Sequence, residues 1–399
     1  MTNQRRVLTL LWIEFFTAYL DRTNIAVAGP TLMKTLAITP QLFGYVLAAF
    51  TAGYAVMQVP GGILADRFGV RRVLVAALLV WSLFTGLTAL AASVGALILV
   101  RFCFGLGEGI ESGAHFRALG DTFTSRERST ASGILHTSLA LGPAVAAPLA
   151  AAIIGAYGWQ ALFLWFTVPG IIVAAVVWRY FPKTTGQPRP PQATMRALQR
   201  GPRLWWMFAA YLCFNVAFWG LAGWMPSYLS SERHIELKSL GFAASVPYLF
   251  GFAGLLVLGW VARTLLYERR AQLVAGAYVL AGLSLFLAFR AGDVVTCITG
   301  LSTAAFFLYG SFAPFWAVSL DLVPEGSHGA LSGFVNLGGQ IGGFFAPIAV
   351  GAFVGATHSY AGGFALMACA LIAGAGAVLC AQGALHEVRS VTPAITNVQ

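Results

Sequence analysis

The 399-residue chain is 58% hydrophobic and only 10% charged, with a mean hydropathy of +0.77. This composition excludes a soluble enzyme or binding module and indicates a helical protein that crosses a membrane several times. The net charge of +10 would suit a nucleic-acid partner, but the basic residues lie in short loops between apolar runs. That placement follows the positive-inside rule instead, so we expect a lipid bilayer and no nucleic acid as partner.

Twelve apolar runs are long enough to cross about 30 Å of hydrocarbon. They cover residues 7–34, 42–64, 71–92, 96–120, 129–156, 159–181, 203–230, 239–262, 270–290, 293–319, 328–356 and 358–383. A proline-containing basic connector divides them six and six. We therefore predict an all-α polytopic protein with a six-helix half at 1–181, a cytoplasmic linker at 182–202, a second six-helix half at 203–385 and a cytoplasmic tail at 386–399.

The first run carries Glu14, Asp21 and Arg22 and has no cleavage site of small residues, so we expect a retained helix and not a signal peptide. Most loop arginines fall on one side of the predicted bundle, which places both termini in the cytoplasm. The five cysteines lie within apolar runs without metal-ligand spacing, so they predict neither disulfides nor a metal site.

Charged residues inside the first and fourth runs are the main candidates for a functional site. Arg101 and Glu108 are seven residues apart, about two helical turns, so they share one face. Asp21 and Arg22 are adjacent in the first run, and Tyr19 shares a face with Arg22. A charge at mid-bilayer costs about 2.5–3.5 kcal/mol, which favours a functional role. For Arg101 and Glu108 the alternatives are a structural ion pair or charges held near the membrane surface. For Asp21 and Arg22 the alternative is a packing salt bridge to another helix.

Further features of the fourth run concern packing and its cytoplasmic end. Glu111 and His115 form an i,i+4 pair that suggests a gate or a structural contact, and Glu14 in the first run can extend to the membrane surface. A strip of small residues predicts close approach of a neighbouring helix, at Gly105, Gly109 and Gly113.

The charges in these two runs suit an organic acid. A guanidinium stays protonated and offers two parallel N–H donors to a carboxylate, a role open to Arg22 and Arg101. The same positive field favours ionised Asp21 and Glu108, while burial favours their protonated forms. We therefore predict that at least one of these two carboxylates binds and releases a proton during a transport cycle.

The loop between the second and third runs, GGILADRFGVRR at 61–72, resembles the loop signature of the major facilitator superfamily. The matching residues are Gly62, Asp66, Arg67, Gly69, Arg71 and Arg72. The resemblance implies two related halves with pseudo-two-fold symmetry about an axis along the membrane normal.

Further strings narrow the resemblance to the anion:cation symporter family, over essentially the whole chain. They include YLDRTNIAVAGPTL, RFCFGLGEG, SRERSTASG, GWQALFLW, GWMPSYL and SGFVNLGGQIGGFFAPIAVG. This family includes bacterial sugar-acid, hexuronate and aromatic-acid permeases and, more distantly, the sialic-acid and vesicular glutamate carriers. The resemblance implies a bacterial inner-membrane protein that moves organic anions with protons by alternating access.

The resemblance also implies individual roles. Asp21 and Glu108 match the proton-binding carboxylates, and Arg22 and Arg101 match the arginines linked to charge coupling and substrate attraction. Substrate-pocket positions of galactonate-type members correspond to Tyr19, Tyr54, Trp316 and Asn336.

Three other positions complete the predicted pocket. Gln340 lies four residues after Asn336 and shares its face, and His136 is a further candidate ligand, although its apolar surroundings favour a structural histidine. Leu139 replaces the pocket glutamine of sugar-acid members, which leaves a less polar acid open as substrate.

We therefore predict a monomeric proton symporter that imports a hexonate, hexarate, hexuronate or aromatic carboxylate. Sodium as the coupling ion stays open, and no cofactor or metal is expected. The alternative is a proton-coupled drug or metabolite exporter, which the two arginines disfavour. An enzyme is not expected, because the sequence has no catalytic, metal or nucleotide motif.

Overall fold

The computed structural model describes residues 3–183, 202–321 and 328–391. These residues form α-helices, one short 3-10 helix at Tyr267–Arg269 and no strand. The helices are α1 Asn3–Thr35, α2 Pro40–Phe68, α3 Val70–Thr88, α4 Val94–Thr122, α5 Ser125–His136, α6 Ser138–Tyr157, α7 Trp159–Tyr180, α8 Pro202–Ser231, α9 Leu237–Thr264, α10 Arg270–Arg290, α11 Val294–Gly310, α12 Phe312–Asp321, α13 His328–Thr357 and α14 Ala361–Val391.

Ten helical segments of the described chain are long and apolar enough to cross a membrane. Two of these segments join helices that are separated by one residue: Thr137 lies between α5 and α6, and Ser311 between α11 and α12. Helices α1 and α4 are long enough, at 33 and 29 residues, but they carry the charged residues and are not among the ten. With them, the described residues form twelve spans, as predicted.

Helix ends follow local sequence signals. Thr39, Ser93 and Asp293 precede helices and accept a backbone N–H three residues later, which satisfies a donor at the start of each helix. Gly69 and Gly158 end helices with φ of 84° and 85°, a region that favours glycine. Gly69 therefore suits the tight turn between the second and third spans.

The chain divides into two compact units. The first contains Met1–Pro190, Gly220–Phe252 and Phe344–Gly363, and the second contains Pro191–Trp219, Ala253–Gly343 and Phe364–Gln399. The sequential halves at 1–181 and 203–385 stay a prediction. Residues 184–201 of the predicted linker and 392–399 of the predicted tail lie outside the described residues.

In the first unit, α2 packs along α4, α3 packs on α4 and α7, and α1 packs on α6. The predicted glycine strip on α4 faces α2. A Cβ atom added at Gly109 would lie 2.5 Å from the carbonyl oxygen of Tyr54, and one at Gly61 would lie 2.6 Å from Cα of Ile110. Side chains at these positions would separate the backbones, so the glycines permit the close approach.

The second unit has an aromatic core around α8. The ring of Tyr211 stacks on Phe214 at 5.7 Å and on Phe315 at 5.1 Å between centroids. Tyr278 is fully buried and stacks on Phe214 at 5.9 Å. These contacts connect α8, α10 and α12 through large rings, which contribute more buried apolar surface than aliphatic side chains.

The α2–α3 loop signature connects neighbouring helices. Asp66 accepts a hydrogen bond from Nη1 of Arg117 on α4 at 2.5 Å, and the same nitrogen donates to the carbonyl of Ala65 at 3.2 Å. Arg71 lies over the Trp178 ring of α7 at 4.6 Å. Arg67 and Arg72 are exposed. Asp66 and Arg71 therefore hold the end of α2 to α4 and the start of α3 to α7.

Candidate functional site

Helices α1 and α4 bring together a buried set of charged side chains. The carboxylates of Glu14, Asp21, Glu108 and Glu111 are all 0% exposed, and the two arginines of the set, Arg22 and Arg101, are buried as well. Charges in such a place are stable only when they are paired, hydrogen-bonded or neutralised. Asp21, Arg22, Arg101 and Glu108 therefore lie in one buried region, and their functional roles stay predictions.

Arg22 is the centre of this network. Its Nε donates to Oε2 of Glu108 at 2.5 Å, and its Nη2 donates to Oε1 of Glu111 at 3.0 Å. The guanidinium carbon lies 4.4 Å from the ring centroid of Tyr19 and 5.2 Å from that of Tyr54. Two charge-assisted hydrogen bonds and the aromatic faces fix the orientation of the guanidinium.

Arg101 has a different environment. Its guanidinium carbon lies 4.4 Å from the Phe104 ring and 5.4 Å from the Phe50 ring, and its Nε has no hydrogen-bond partner in the described chain. Among the described residues, Glu108 forms its ion pair with Arg22 and not with Arg101, so the alternative of a structural Arg101–Glu108 pair is wrong. Arg101 therefore keeps a free donor for an added ligand.

Several other buried polar atoms of this region have no hydrogen-bond partner within the described residues. They include both carboxylate oxygens of Asp21, both amide atoms of Asn24, Nε1 of Trp81 and Oγ of Ser82. Native proteins contain few such atoms, so a group of them on α1 and α3 requires an explanation. A polar ligand or a proton that binds in this region would contact these unpartnered atoms.

Glu14 was not predicted as part of this network. The expectation that it extends to the membrane surface is wrong, because it is fully buried and contacts Nε2 of His115 on α4. A signal was present in the sequence: Glu14 lies seven residues before Asp21, two turns along the same face of α1.

Histidine 136 lies close to the same region. Its Nδ1 donates to the carbonyl of Ser132 at 2.6 Å, and its ring meets the Phe15 ring edge-on at 5.8 Å. The Phe15 ring also contacts the His115 ring edge-on, with 5.1 Å between centroids. His136 is half-buried and hydrogen-bonded within its own helix, and a ligand role for it stays a prediction.

The remaining predicted pocket residues belong to the second unit. Trp316 is half-buried and packs edge-on against Tyr211 at 5.1 Å. Asn336 and Gln340 are half-buried on α13, one turn apart as expected. Their roles in substrate binding stay predictions.

One group of the described residues has the composition and spacing to hold a metal ion. Carboxylate oxygens of Glu14 and Glu111 and a ring nitrogen of His115 lie within 4.8 Å of one another. The sequence analysis predicted no metal, because the three residues come from two helices whose pairing is not visible in the sequence.

Membrane-length helices with a buried charge network on two of them define a multi-pass membrane protein with a polar site inside its helical bundle. Residues 11–347 match the profile of the Major Facilitator Superfamily. The chain therefore belongs to the major facilitator superfamily, and it is a transporter and not an enzyme.

Similar proteins span nearly the whole chain. The hexuronate transporter of Bacillus subtilis (strain 168) is 28% identical, with 96% of this chain and 94% of the relative covered. The probable sulfoacetate transporter SauU of Cupriavidus necator is 31% identical, with coverage of 90% and 89%. The probable L-galactonate transporter of Escherichia coli (strain K12) is 29% identical, with coverage of 93% and 87%.

A solved structure supports the same fold. The crystal structure of a bacterial homologue of the human lysosomal transporter Spinster, in an inward-facing and occupied conformation, matches with a TM-score of 0.78. It covers 96% of this chain and 97% of that chain at 18% identity, a likeness that concerns the fold alone.

Proposed function

We propose that this transporter imports a small organic anion together with protons, by alternating access. The observation that carries the proposal is the buried network in which Arg22 and Arg101 lie among the carboxylates of α1 and α4. The relatives' names also support an acid, because hexuronate, galactonate and sulfoacetate are all anions near neutral pH. The substrate class is a hexonate, hexarate or hexuronate, or an aromatic carboxylate.

Arg101 is the proposed first contact for the substrate carboxylate. Its Nε has no partner, whereas both Arg22 nitrogens described above already donate to glutamates. Arg22 can bind the substrate only in exchange for one of these glutamates. Tyr19 and Tyr54 surround Arg22 and are proposed to contact the same anion, and Trp316, Asn336 and Gln340 are proposed as further substrate-binding residues.

The same exchange suggests how protons couple to the anion. A buried carboxylate stays charged only beside a positive group, and Arg22 is that group for Glu108. When a substrate anion takes over Arg22, Glu108 loses its partner and is neutralised by a proton. We assign Glu108 to this coupled step and Asp21, which lacks any hydrogen-bond partner in the described chain, to a second proton.

We further propose a bacterial inner-membrane location with both termini in the cytoplasm and a monomeric transporter. A proton-coupled exporter of drugs or metabolites is the second candidate. Such a protein would favour an apolar pocket with carboxylates alone, and two buried arginines are better suited to an anionic substrate.

A ligand screen tests the substrate class. Purified protein is heated with glucuronate, galactonate, galactarate, sulfoacetate, phthalate or hydroxyphenylacetate, and with galactose as the matched neutral sugar. A true ligand stabilises the fold by mass action, so at least one acid should raise the unfolding temperature and galactose should not. Arg101→Ala should lose this shift, and Arg290→Ala, at an exposed arginine, should keep it. Equal shifts with galactose, or none with any acid, would contradict the proposal.

A further inference from the structure

A second polar cluster lies beside the Arg22 network, made of Glu14 on α1 and Glu111 and His115 on α4. Carboxylate oxygens of the two glutamates and a ring nitrogen of His115 lie within 4.8 Å of one another. The two glutamates are fully buried and His115 is 5% exposed. The proposed transport function assigns no role to Glu14 or His115.

The cluster has unused ligand atoms. Nε2 of His115 contacts Oε2 of Glu14, and Oε1 of Glu111 accepts from Arg22 at 3.0 Å. The second oxygen of each carboxylate, Oε1 of Glu14 and Oε2 of Glu111, is buried without any hydrogen-bond partner in the described chain. Leaving such oxygens unpaired is costly, so a bound cation, or a proton shared between the two carboxyl groups, would stabilise this pair.

The charge balance of the region gives an independent reason. Four carboxylates are fully buried on α1 and α4, whereas two arginines, Arg22 and Arg101, are buried among them. The next arginine, Arg117, is engaged by Asp66 and Asp121. With all four carboxylates ionised and His115 neutral, the network would carry an excess of two negative charges, which two protons or one divalent cation would balance.

We infer that Glu14, Glu111 and His115 form a binding site for one divalent transition-metal cation. Two carboxylate oxygens and one imidazole nitrogen are a donor set suited to Zn²⁺, Mn²⁺ or Co²⁺, and imidazole is a ligand of such metals more than of hard cations. Small side-chain movements bring these donors to the usual metal–ligand distances of about 2.0–2.2 Å. Three protein ligands leave a further coordination position open to water or another ligand.

Neighbouring residues already orient two of the three ligands. Arg22 holds Glu111 through the 3.0 Å hydrogen bond, and the edge of Phe15 packs against the His115 ring with a 5.1 Å centroid distance. Such supporting contacts fix ligand orientation in known metal sites. A bound cation would join α1 to α4 next to Arg22.

Metal binding can be measured without any organic acid, so the test is independent of the proposed transport function. The full-length protein is purified, stripped with a chelator, incubated with Zn²⁺ or Co²⁺, desalted and analysed for metal content. We expect one metal per chain. Glu14→Gln, Glu111→Gln and His115→Asn should each weaken Zn²⁺ affinity at least about tenfold. His358→Asn, at an exposed histidine, should not.

The Co²⁺ absorption spectrum of the wild-type protein gives a second readout that needs no variant. Oxygen and nitrogen ligands give visible d–d bands only. Additional near-ultraviolet bands would show thiolate ligation and would indicate that the free cysteines bind the metal. The proposal is overturned if the wild-type protein retains no stoichiometric metal, if the spectrum shows thiolate ligation, or if His358→Asn loses metal as the three ligand variants do.

Discussion

Arg22 and Arg101 carry the same charge in the same buried region but have different partners. Arg22 donates to two glutamates, whereas Nε of Arg101 has no acceptor in the described chain. Arg22 therefore contributes to the stability of the apo protein, and Arg101 is free to contribute to ligand binding. Separate measurements of stability and of ligand response can distinguish these two roles.

Removing Arg22 should destabilise the protein more than removing Arg101. Arg22→Ala leaves Glu108 and Glu111 buried without their hydrogen-bonded cation, a change that costs about 3–5 kcal/mol in buried pairs. Arg101→Ala breaks no ion pair of the described residues, so it should lower the free energy of unfolding clearly less than Arg22→Ala does. Thermal unfolding without ligand measures both, with Arg22→Lys as the charge-preserving control. Equal destabilisation by the two alanine variants would contradict the assignment.

The sequence predicts which buried residues carry charge but not how they pair. Helical spacing places Arg101 and Glu108 on one face of α4, yet Glu108 bonds Arg22 from another helix. Spacing within one helix says nothing about which neighbour packs against it. The spacing of Glu14 from Asp21 was a signal that it shares the polar face of α1, but its partner His115 lies on α4 and could not be inferred from that spacing.

At the scale of helices, the α2–α4 contact depends on glycines in both partners. Gly61 and Gly62 are adjacent on α2, but their surroundings differ. A Cβ at Gly61 would lie 2.6 Å from Cα of Ile110, whereas one at Gly62 would lie 3.9 Å from Cα of Gly113, an ordinary contact. The pair provides a matched test of how closely the two backbones approach.

Gly61→Ala should destabilise the protein by about 1–3 kcal/mol, the usual cost of overpacking, because the backbone of α4 must move. Gly62→Ala should have little effect or a slightly favourable one, since alanine is the better helix former. Thermal unfolding of both purified variants measures the difference. A neutral Gly61→Ala, or equal losses for the two variants, would show that the helices do not approach as closely as described.

The start of α5 should show a pH-dependent contribution to stability. The backbone N–H of Thr124 donates to Glu127 at 3.0 Å and holds the pKa of this exposed carboxyl below its usual value of about 4.5. A lowered pKa in the folded state means that the stabilisation is present above the usual value and is lost as the pH falls through the lowered one.

Glu127→Gln should therefore unfold at a lower temperature than wild type near neutral pH, and the difference should shrink in acid. Unfolding temperatures of both proteins across the pH range measure this. Asp293→Asn is a comparison at another helix start, where hydrogen bonds from Thr296 also lower the carboxyl pKa. A difference for Glu127→Gln that does not change with pH would contradict the capping role.

At the scale of the whole molecule, the twelve spans follow from hydrophobic length, a local property that a single sequence displays directly. Helices α1 and α4 are the two exceptions, because their charged residues lower the hydropathy by which a span is recognised. These same charged residues form the candidate site. Grouping of the spans into compact units depends on contacts between distant segments. The ends of α8 and α13 join the first unit, which the six-and-six pattern does not indicate.

Proton-coupled accumulation in proteoliposomes tests the central claim most directly. The vesicles contain purified protein, and the labelled acid is the one that stabilises it most in the ligand screen. An inward proton gradient should drive accumulation, a protonophore should abolish it, and a sodium gradient should not replace it. Glu108→Gln should lose gradient-driven accumulation and keep exchange, while Glu127→Gln should behave as wild type. Uptake that ignores the proton gradient, or normal accumulation by Glu108→Gln, would contradict the account.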